Sequence, residues 1–544
     1  MMRRLLYRAL ISLHPAVFRQ RFGEEMLCIF DEAEGRGAPQ LFADGAASLL
    51  RQWALRSGIW KVAAGVAISA LCFSGWAYSL KYSLDEAYRR GNPGHEAEVR
   101  GRLAIEQKRR ATLLGTLEPN ILAQVPASSA SSGWLIQPVE ISNRIAALKR
   151  RWEAGDRAAL DEFWQQAAKA GTPLIEPAAG SPQNVVVTFV WRGDATARNV
   201  ALLAPLEKEF GLPRLPLYRL LDTDVWYRCW RMKDDFRFSY RFLPNPQSDE
   251  TESEHNPPAL SRLDPLNRHT IDMRFLEDSA TPDKYSIASM PNAPTDFWAM
   301  EQANVPAGKV KAYAIKSAVL GGERKIWVYT PPGYNQKLPQ GYPLLVLFDG
   351  LAYQSIIPTP TILGNLIHAG RVQPTLAVMV HNPRESRVPD LLGNPGFADF
   401  VSGELIPWIR QNWNVTRDPQ KSTVGGYSLG GSEAALMAML HPELFGNVLS
   451  QSGSFQSGNG RDVKSEYLAS QYQARAKLAL RFFVEAGSLE DNSKQGLSLL
   501  AANRRFVEML KSKGYPVRYE EVDGTHDPAV WRDTLALALM ALMK

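Results

Sequence analysis

Between Val62 and Leu80 the chain runs nineteen residues without a charge, VAAGVAISALCFSGWAYSL. That is close to the length needed to cross a hydrocarbon layer, and Trp60 and Tyr78 stand near its ends, where amphipathic rings favour an interface. Ahead of it, RLLYRALISLHPAVFRQRFGEEMLCIF repeats apolar residues at three- and four-residue spacing, which predicts amphipathic helices. Residues 82–135 are polar and close on the serine-rich PASSASSGW, a linker composition. Helical spacing returns at Ile141, Ile145, Leu148 and Trp152, then at Leu160, Phe163 and Trp164, before the turn-rich GTPLIEP. From Asn184 the period changes. NVVVTFVWRG, TDVWYRCWRM and FRFSYRFLP are short runs of β-branched and aromatic residues separated by turn signals, the pattern of an immunoglobulin-like β-sandwich. From about Lys311, apolar runs such as PLLVLFDG, TLAVMVHN and LALRFFVEAG alternate with helical patterns. Strands that apolar are buried on both faces, so this part is read as a doubly wound, mostly parallel α/β sheet.

The expected organisation is therefore a helical prefix over 1–58, a transmembrane helix over 59–81 and a helical or linker segment over 82–139. A β-sandwich over 140–305 and a catalytic α/β domain over 306–544 follow. About sixty residues precede the apolar run, far more than the short charged start of a cleaved signal peptide. A buried core helix is the rival reading of that run. If it spans, Arg51, Arg56 and Lys61 on its N-terminal side place the N-terminus in the cytoplasm and the rest beyond the inner membrane.

Charge adds an exclusion. Lys and Arg total 62 against 56 Asp and Glu, with no block of like charge, so nothing argues for a nucleic-acid partner. The three cysteines, Cys28, Cys72 and Cys229, fit no metal-ligand spacing, and no metal site is expected.

The candidate chemistry lies in GGYSLGGSEAALMAML. Gly426-Tyr427-Ser428-Leu429-Gly430 fits G-x-S-x-G between a predicted strand and a predicted helix, the context of a nucleophile elbow. A serine nucleophile needs a base, and in the α/β-hydrolase fold that such an elbow implies, the base is a histidine near the end of the chain. His526 is the only histidine beyond residue 441, on a loop between a predicted strand and the last helix. A carboxylate from the loop after FFVEAG should orient it. Glu490 is preferred, Asp491 is the alternative, and Glu485 lies close by. The oxyanion hole should use the backbone N–H of Leu429 and, from the loop after VLFDG, that of Leu351, with Gly350 permitting close approach and Asp349 shaping the loop.

Over residues 140–544 the chain resembles the enterochelin (enterobactin) esterases, enzymes that hydrolyse the trilactone of catecholate siderophores. In the catalytic part the resemblance rests on LLVLFDG, GGYSLGGSEAALMAMLHPELFGNVLSQSGSF and VRYEEVDGTHDPAVWRD. In the sandwich it rests on VTFVWRGD, DTDVWYRCWRM, SYRFLPN and LDPLNR. The family places a glutamate where Glu490 stands. Its pattern around HNPRESRVPDLLGNPGFADF matches at Arg387, Asp390, Asn394 and Phe397, where a substrate-facing loop would be. Asp349, Arg384, Arg387 and Trp531 are the candidates to face the substrate, the arginines because ferric triscatecholates are anionic. The resemblance implies a serine esterase without a cofactor, in which iron arrives with the siderophore. The family usually has glycine where Thr525 stands, and its cytoplasmic members lack the apolar run at Val62–Leu80, so hydrolysis in the periplasm is expected. A broader esterase acting on feruloyl or other esters, and a membrane-tethered siderophore-binding protein without activity, are the alternatives.

Overall fold

The computed structural model describes residues 136–139, 141–206, 215–246, 260–273, 284–457, 466–491 and 498–544. The expected prefix and membrane span lie outside these residues. Among the described residues, no helix is long and apolar enough to cross a membrane.

The N-terminal part is built from the aromatic runs. Strand β1 (Ile136–Val139) precedes helices α1 (Asn143–Glu153) and α2 (Ala158–Ala170). Strands β2 (Leu174–Pro177), β3 (Asn184–Arg192), β4 (Val200–Leu203), β5 (Leu215–Pro216) and β6 (Tyr218–Arg219) follow. The part is completed by β7 (Val225–Lys233), β8 (Arg237–Pro244), β9 (Thr270–Asp272) and β10 (Lys284–Ser289). One sheet has the order β1-β7-β3-β2 with β6 on β7, and the other β5-β4-β8-β10-β9. All pairings are antiparallel, and β3 and β7 pair along their whole length, from Asn184↔Lys233 to Arg192↔Val225. Alternate side chains of both sheets meet in one apolar core: Val187 and Phe189 of β3, Trp230 of β7, and Phe238, Tyr240 and Phe242 of β8. Phe189 packs edge-on against both Trp230 and Tyr240. Two elements differ from the sequence pattern. The segment read as linker ends in strand β1, and the turn-rich GTPLIEP contains β2. Four residues are too few for a period to show, and each becomes a strand only through its partner in the sheet.

The catalytic part centres on an eight-stranded sheet of order β11-β12-β14-β13-β15-β16-β17-β18. Its strands are β11 (Lys309–Ser317), β12 (Gly322–Thr330), β13 (Leu344–Leu347), β14 (Leu376–Val380), β15 (Ser422–Tyr427), β16 (Asn447–Gln451), β17 (Arg481–Gly487) and β18 (Val517–Val522). The first two pairings are antiparallel and the remaining five parallel. Helices α3 (Gly350–Gln354), α4 (Thr359–His368), α5 (Arg384–Leu391), α6 (Pro395–Asp399) and α7 (Ile406–Asn412) come before β15. After it come α8 (Leu429–Leu440), α9 (Tyr467–Ala474), α10 (Leu499–Ser512) and α11 (Pro528–Leu542).

The two faces of this sheet are filled by alternate residues of the same strands. Val346, Val378, Val424, Val448 and Phe482 face one core, with Ala434 of α8 and Phe506 of α10. Leu345, Met379, Leu449 and Phe483 face the other, with Ile362 of α4 and Leu535 of α11. Burial on both faces is why these strands read as unbroken apolar runs. The chain leaves β13 for β14 on one side and then crosses to β15 on the other, so the strand order reverses beside β13. Ligands of open α/β sheets bind at such a reversal, beyond the carboxyl ends of the strands.

Within the sandwich, the Tyr240 hydroxyl donates to the buried Asp264 carboxylate at 2.7 Å and accepts from Asn267 Nδ2 at 3.0 Å. Tyr240→Phe leaves both groups short of a partner without changing shape. It should destabilise the protein by about 1–3 kcal/mol, read as a lower urea midpoint. An unchanged midpoint would show that the bond contributes nothing.

Candidate active site

Register explains how the site assembles. Leu347 of β13 pairs with Gly425 of β15, so the turns that leave these two strands are neighbours. Ser428 leaves β15 at φ 54°, a strained value for a residue with a side chain. Its N–H donates to the Gln451 carbonyl at 2.9 Å, and its own carbonyl accepts from Gly431 N at 3.1 Å and Ser454 N at 2.9 Å. The glycines make the turn possible. A Cβ on Gly426 would lie 2.5 Å from the Gly430 carbonyl carbon, and one on Gly431 would lie 2.6 Å from Ser450 Oγ.

The turn after β13 carries the second half. Asp349 is left-handed at φ 56°, and a Cβ on Gly350 would meet the Met379 backbone at 2.5 Å. Asp349 N donates to Asn382 Oδ1 at 3.0 Å. Its carboxylate takes a two-pronged bond from Arg387 of α5, Nε at 2.7 Å and Nη2 at 2.9 Å. Such charge-assisted forks fix geometry as well as adding energy. Leu351 and Leu429 lie in the first turns of α3 and α8, where backbone N–H groups lack intrahelical acceptors and can turn to an oxyanion.

Strands β17 and β18 deliver the other groups at the same end of the sheet. His526 Nδ1 lies 3.0 Å from Glu490 Oε1, and Gly487 N donates to Glu490 Oε2 at 3.2 Å. With Nδ1 turned to the carboxylate, Nε2 is left to act as a base. Asp491 is exposed and makes no such contact. The imidazole packs edge-on against Trp531, which stacks on Tyr427, the residue before Ser428. Trp531 Nε1 donates to Ser452 Oγ at 2.9 Å. This stack brings the histidine loop to the elbow.

The four residues expected to face the substrate separate in the structure. Arg384 opens α5 and is exposed. Arg387 is spent on Asp349 and lies over the Tyr427 ring. Asp349 and Trp531 are buried at 5% and 2% exposure, so their role is to shape the site from beneath. Several supporting residues had no sequence signal. Ser454 Oγ sits 3.4 Å from Ser428 Oγ, and Gln451 bonds Tyr353, Trp531 and Thr534 at once. Isolated polar residues in apolar strands carry no motif; the clue was only that β16 ends in two polar residues, Ser450 and Gln451.

Two buried carboxyls flank the site. Burial, reinforced by the nearby Glu490, pushes Glu485 well above the usual carboxylate range, while a 3.2 Å bond from Thr534 opposes it. Burial raises Glu433 of α8 from 4.5 to about 8, against a bond from Gly393 N. A carboxyl raised on folding holds a proton that the unfolded chain releases. Stability therefore falls as pH rises between 4.5 and about 8. Glu433→Gln should flatten that slope and melt higher than wild type above this window, as thermal melts across pH would show. A wild-type slope in the variant would exclude Glu433 as its source.

Comparison with known proteins agrees with this geometry. Residues 317–542 match a family model described as a putative esterase, and residues 186–299 match the N-terminal domain model of enterochelin esterase. An iron(III) enterobactin esterase of Dickeya dadantii is 30% identical over 436 residues, covering 72% of this chain and 94% of that protein. An iron(III) salmochelin esterase of Escherichia coli is 25% identical, covering 72% of this chain and 95% of that protein. A crystal structure of the Shigella flexneri enterobactin esterase, obtained in the presence of enterobactin, superposes with a TM-score of 0.56 at 26% identity. It covers 70% of this chain and 97% of that one. With both of its domains matched in order and an elbow, a histidine–glutamate pair and two helix-start N–H groups at one sheet end, the chain belongs to the enterochelin esterase family of carboxylic ester hydrolases.

Proposed function

We propose that the protein hydrolyses the ester bonds of enterobactin-like catecholate siderophores, releasing their iron, with Ser428, His526 and Glu490 as the catalytic triad. The observation that carries the chemistry is the Glu490–His526 bond, held by the Trp531–Tyr427 stack beside a strained serine. The sandwich companion and the two named relatives support the substrate class. The packing of two antiparallel sheets supports the immunoglobulin-like description of that companion.

In this mechanism Ser428 Oγ attacks a lactone carbonyl while His526 Nε2 takes its proton. The tetrahedral oxyanion is held by the N–H groups of Leu429 and Leu351. The intermediate collapses, the C–O bond to the departing serine oxygen breaks, and His526 returns the proton to that oxygen. Water then attacks the acyl-enzyme with His526 as base, and the acid product leaves. Glu490 keeps the imidazole in the required tautomer throughout. Iron enters only as part of the substrate and no cofactor takes part. Of the two arginines expected to face the substrate, the exposed Arg384 is the one that meets an anionic ligand, since Arg387 is already paired with Asp349.

Product analysis with ferric and iron-free enterobactin tests the substrate, beside a nitrophenyl ester. Trilactone turnover should yield linear catechoyl-serine products. Negligible trilactone turnover with fast nitrophenyl hydrolysis would favour a broader esterase instead. Ser428→Ala should lower kcat by on the order of 10⁴ or more. An inactive wild-type enzyme that still binds the siderophore would support the binding-protein alternative.

The same proposal places the catalytic part in the periplasm, tethered to the inner membrane by Val62–Leu80. Its support is the uncharged length and the basic residues Arg51, Arg56 and Lys61 ahead of it. A reporter that is active only outside the cytoplasm, fused after residue 90, should report activity. A fusion that works only with a cytoplasmic reporter would reverse the topology.

A further inference from the structure

The elbow is held by its own glycines, but His526 and Glu490 sit on loops, and something must hold their bond in register. Each has a chain neighbour fastened to the sandwich. Asp527, next to His526, is buried, and its Oδ2 accepts from both Ser239 N at 2.7 Å and Ser239 Oγ at 2.8 Å. Ser239 belongs to β8 of the sandwich. The other oxygen, Oδ1, caps α11 by accepting from Ala529 N at 2.8 Å. Leu489, next to Glu490, is 7% exposed and belongs to the apolar core of the sandwich, with Met232, Phe236 and Phe238.

The two loops are also tied to one another and to β7. Leu489 N donates to Gly524 O at 3.0 Å, and Ser488 Oγ donates to Asp523 Oδ1 at 2.9 Å. The second oxygen of Asp523 pairs with Lys233 of β7 at 2.7 Å. Further along, in helix α11, Asp533 pairs with Arg237 of β8 at 3.0 Å. A carboxylate buried as Asp527 is would be costly without donors, and Ser239 supplies two of its three.

We propose that the sandwich is a positioning part of the catalytic site. Ser239 acting through Asp527, and the sandwich core acting through Leu489, hold His526 and Glu490 at bonding distance. Loss of either grip loosens the imidazole and slows the chemical step, with little change in how substrate binds. The inference rests on the serine-hydrolase reading given above.

The test uses full-length Ser239→Ala and Leu489→Ala, neither of which alters charge, with a nitrophenyl ester as substrate. A small misplacement of catalytic groups can cost up to about a hundredfold, so each variant should lose on the order of tenfold in kcat with KM within about twofold. The low-pH limb of the kcat profile should move to lower pH, because a loosened Glu490 stabilises the imidazolium less. Leu489→Met, which restores most of the volume, should recover the wild-type limb. Thermal melts give the folded fraction. A kcat that falls only in proportion to that fraction, with the limb unmoved, would overturn the proposal, as would wild-type kcat and limb in both variants. Ser428→Ala run alongside separates the two levels. Undiminished hydrolysis there removes the underlying reading, whereas loss there with unaltered clamp variants overturns the clamp alone.

Discussion

A serine with a positive φ can persist only where its surroundings hold it, and the rest of this site depends on that turn. Ser428 stays at φ 54° because Gly426 and Gly431 leave room for the backbone of α8 and the side chain of Ser450. A side chain at either position would clash at under 3 Å. Closing the turn aims the hydroxyl beyond the sheet and sets the first N–H groups of α8 beside it. The parallel register of β13 with β15 brings the Asp349 turn alongside, and Arg387 locks that turn with its fork.

From there a continuous chain of rings reaches the histidine. Arg387 lies over Tyr427, Tyr427 stacks on Trp531, and Trp531 meets His526 edge-on. These contacts join the Asp349 turn to the loop that carries His526. Beneath them, Gln451 Nε2 donates to the Trp531 carbonyl and to Thr534 Oγ1, and Ser452 Oγ accepts from Trp531 Nε1, so these buried polar atoms are paired. Burial, with Glu490 close by, pushes the Glu485 carboxyl well above the usual carboxylate range, which disfavours a second negative charge beside Glu490.

The sandwich contributes more than cover. Its strands β7 and β8 reach the His526 loop through Lys233 and Ser239 and helix α11 through Arg237, and Leu489 of the Glu490 loop crosses in the opposite direction. Contacts of this kind tie two domains that the chain connects only through the segment between β10 and β11.

Much of this was legible in the residues themselves. Apolar runs marked the strands of both domains, because burial on one face or two imposes a period that composition reveals. The elbow was readable because only glycines fit around a serine in that turn, and His526 because chain order left no other histidine. The sequence alone thus set the order of the sandwich and the α/β part and singled out Ser428 and His526 as the candidate nucleophile and base. Tertiary structure decided the rest. It selected Glu490 over Asp491, since both stand on one loop and only the fold says which faces the imidazole. It turned Arg387 and Trp531 inward, where they hold the site together, although their types also suited a ligand. It paired Ser239 with Asp527 across 288 positions, a separation over which no local pattern carries information. Local spacing encodes which face of an element is buried, while the partner that buries it is chosen only when the sheets pack.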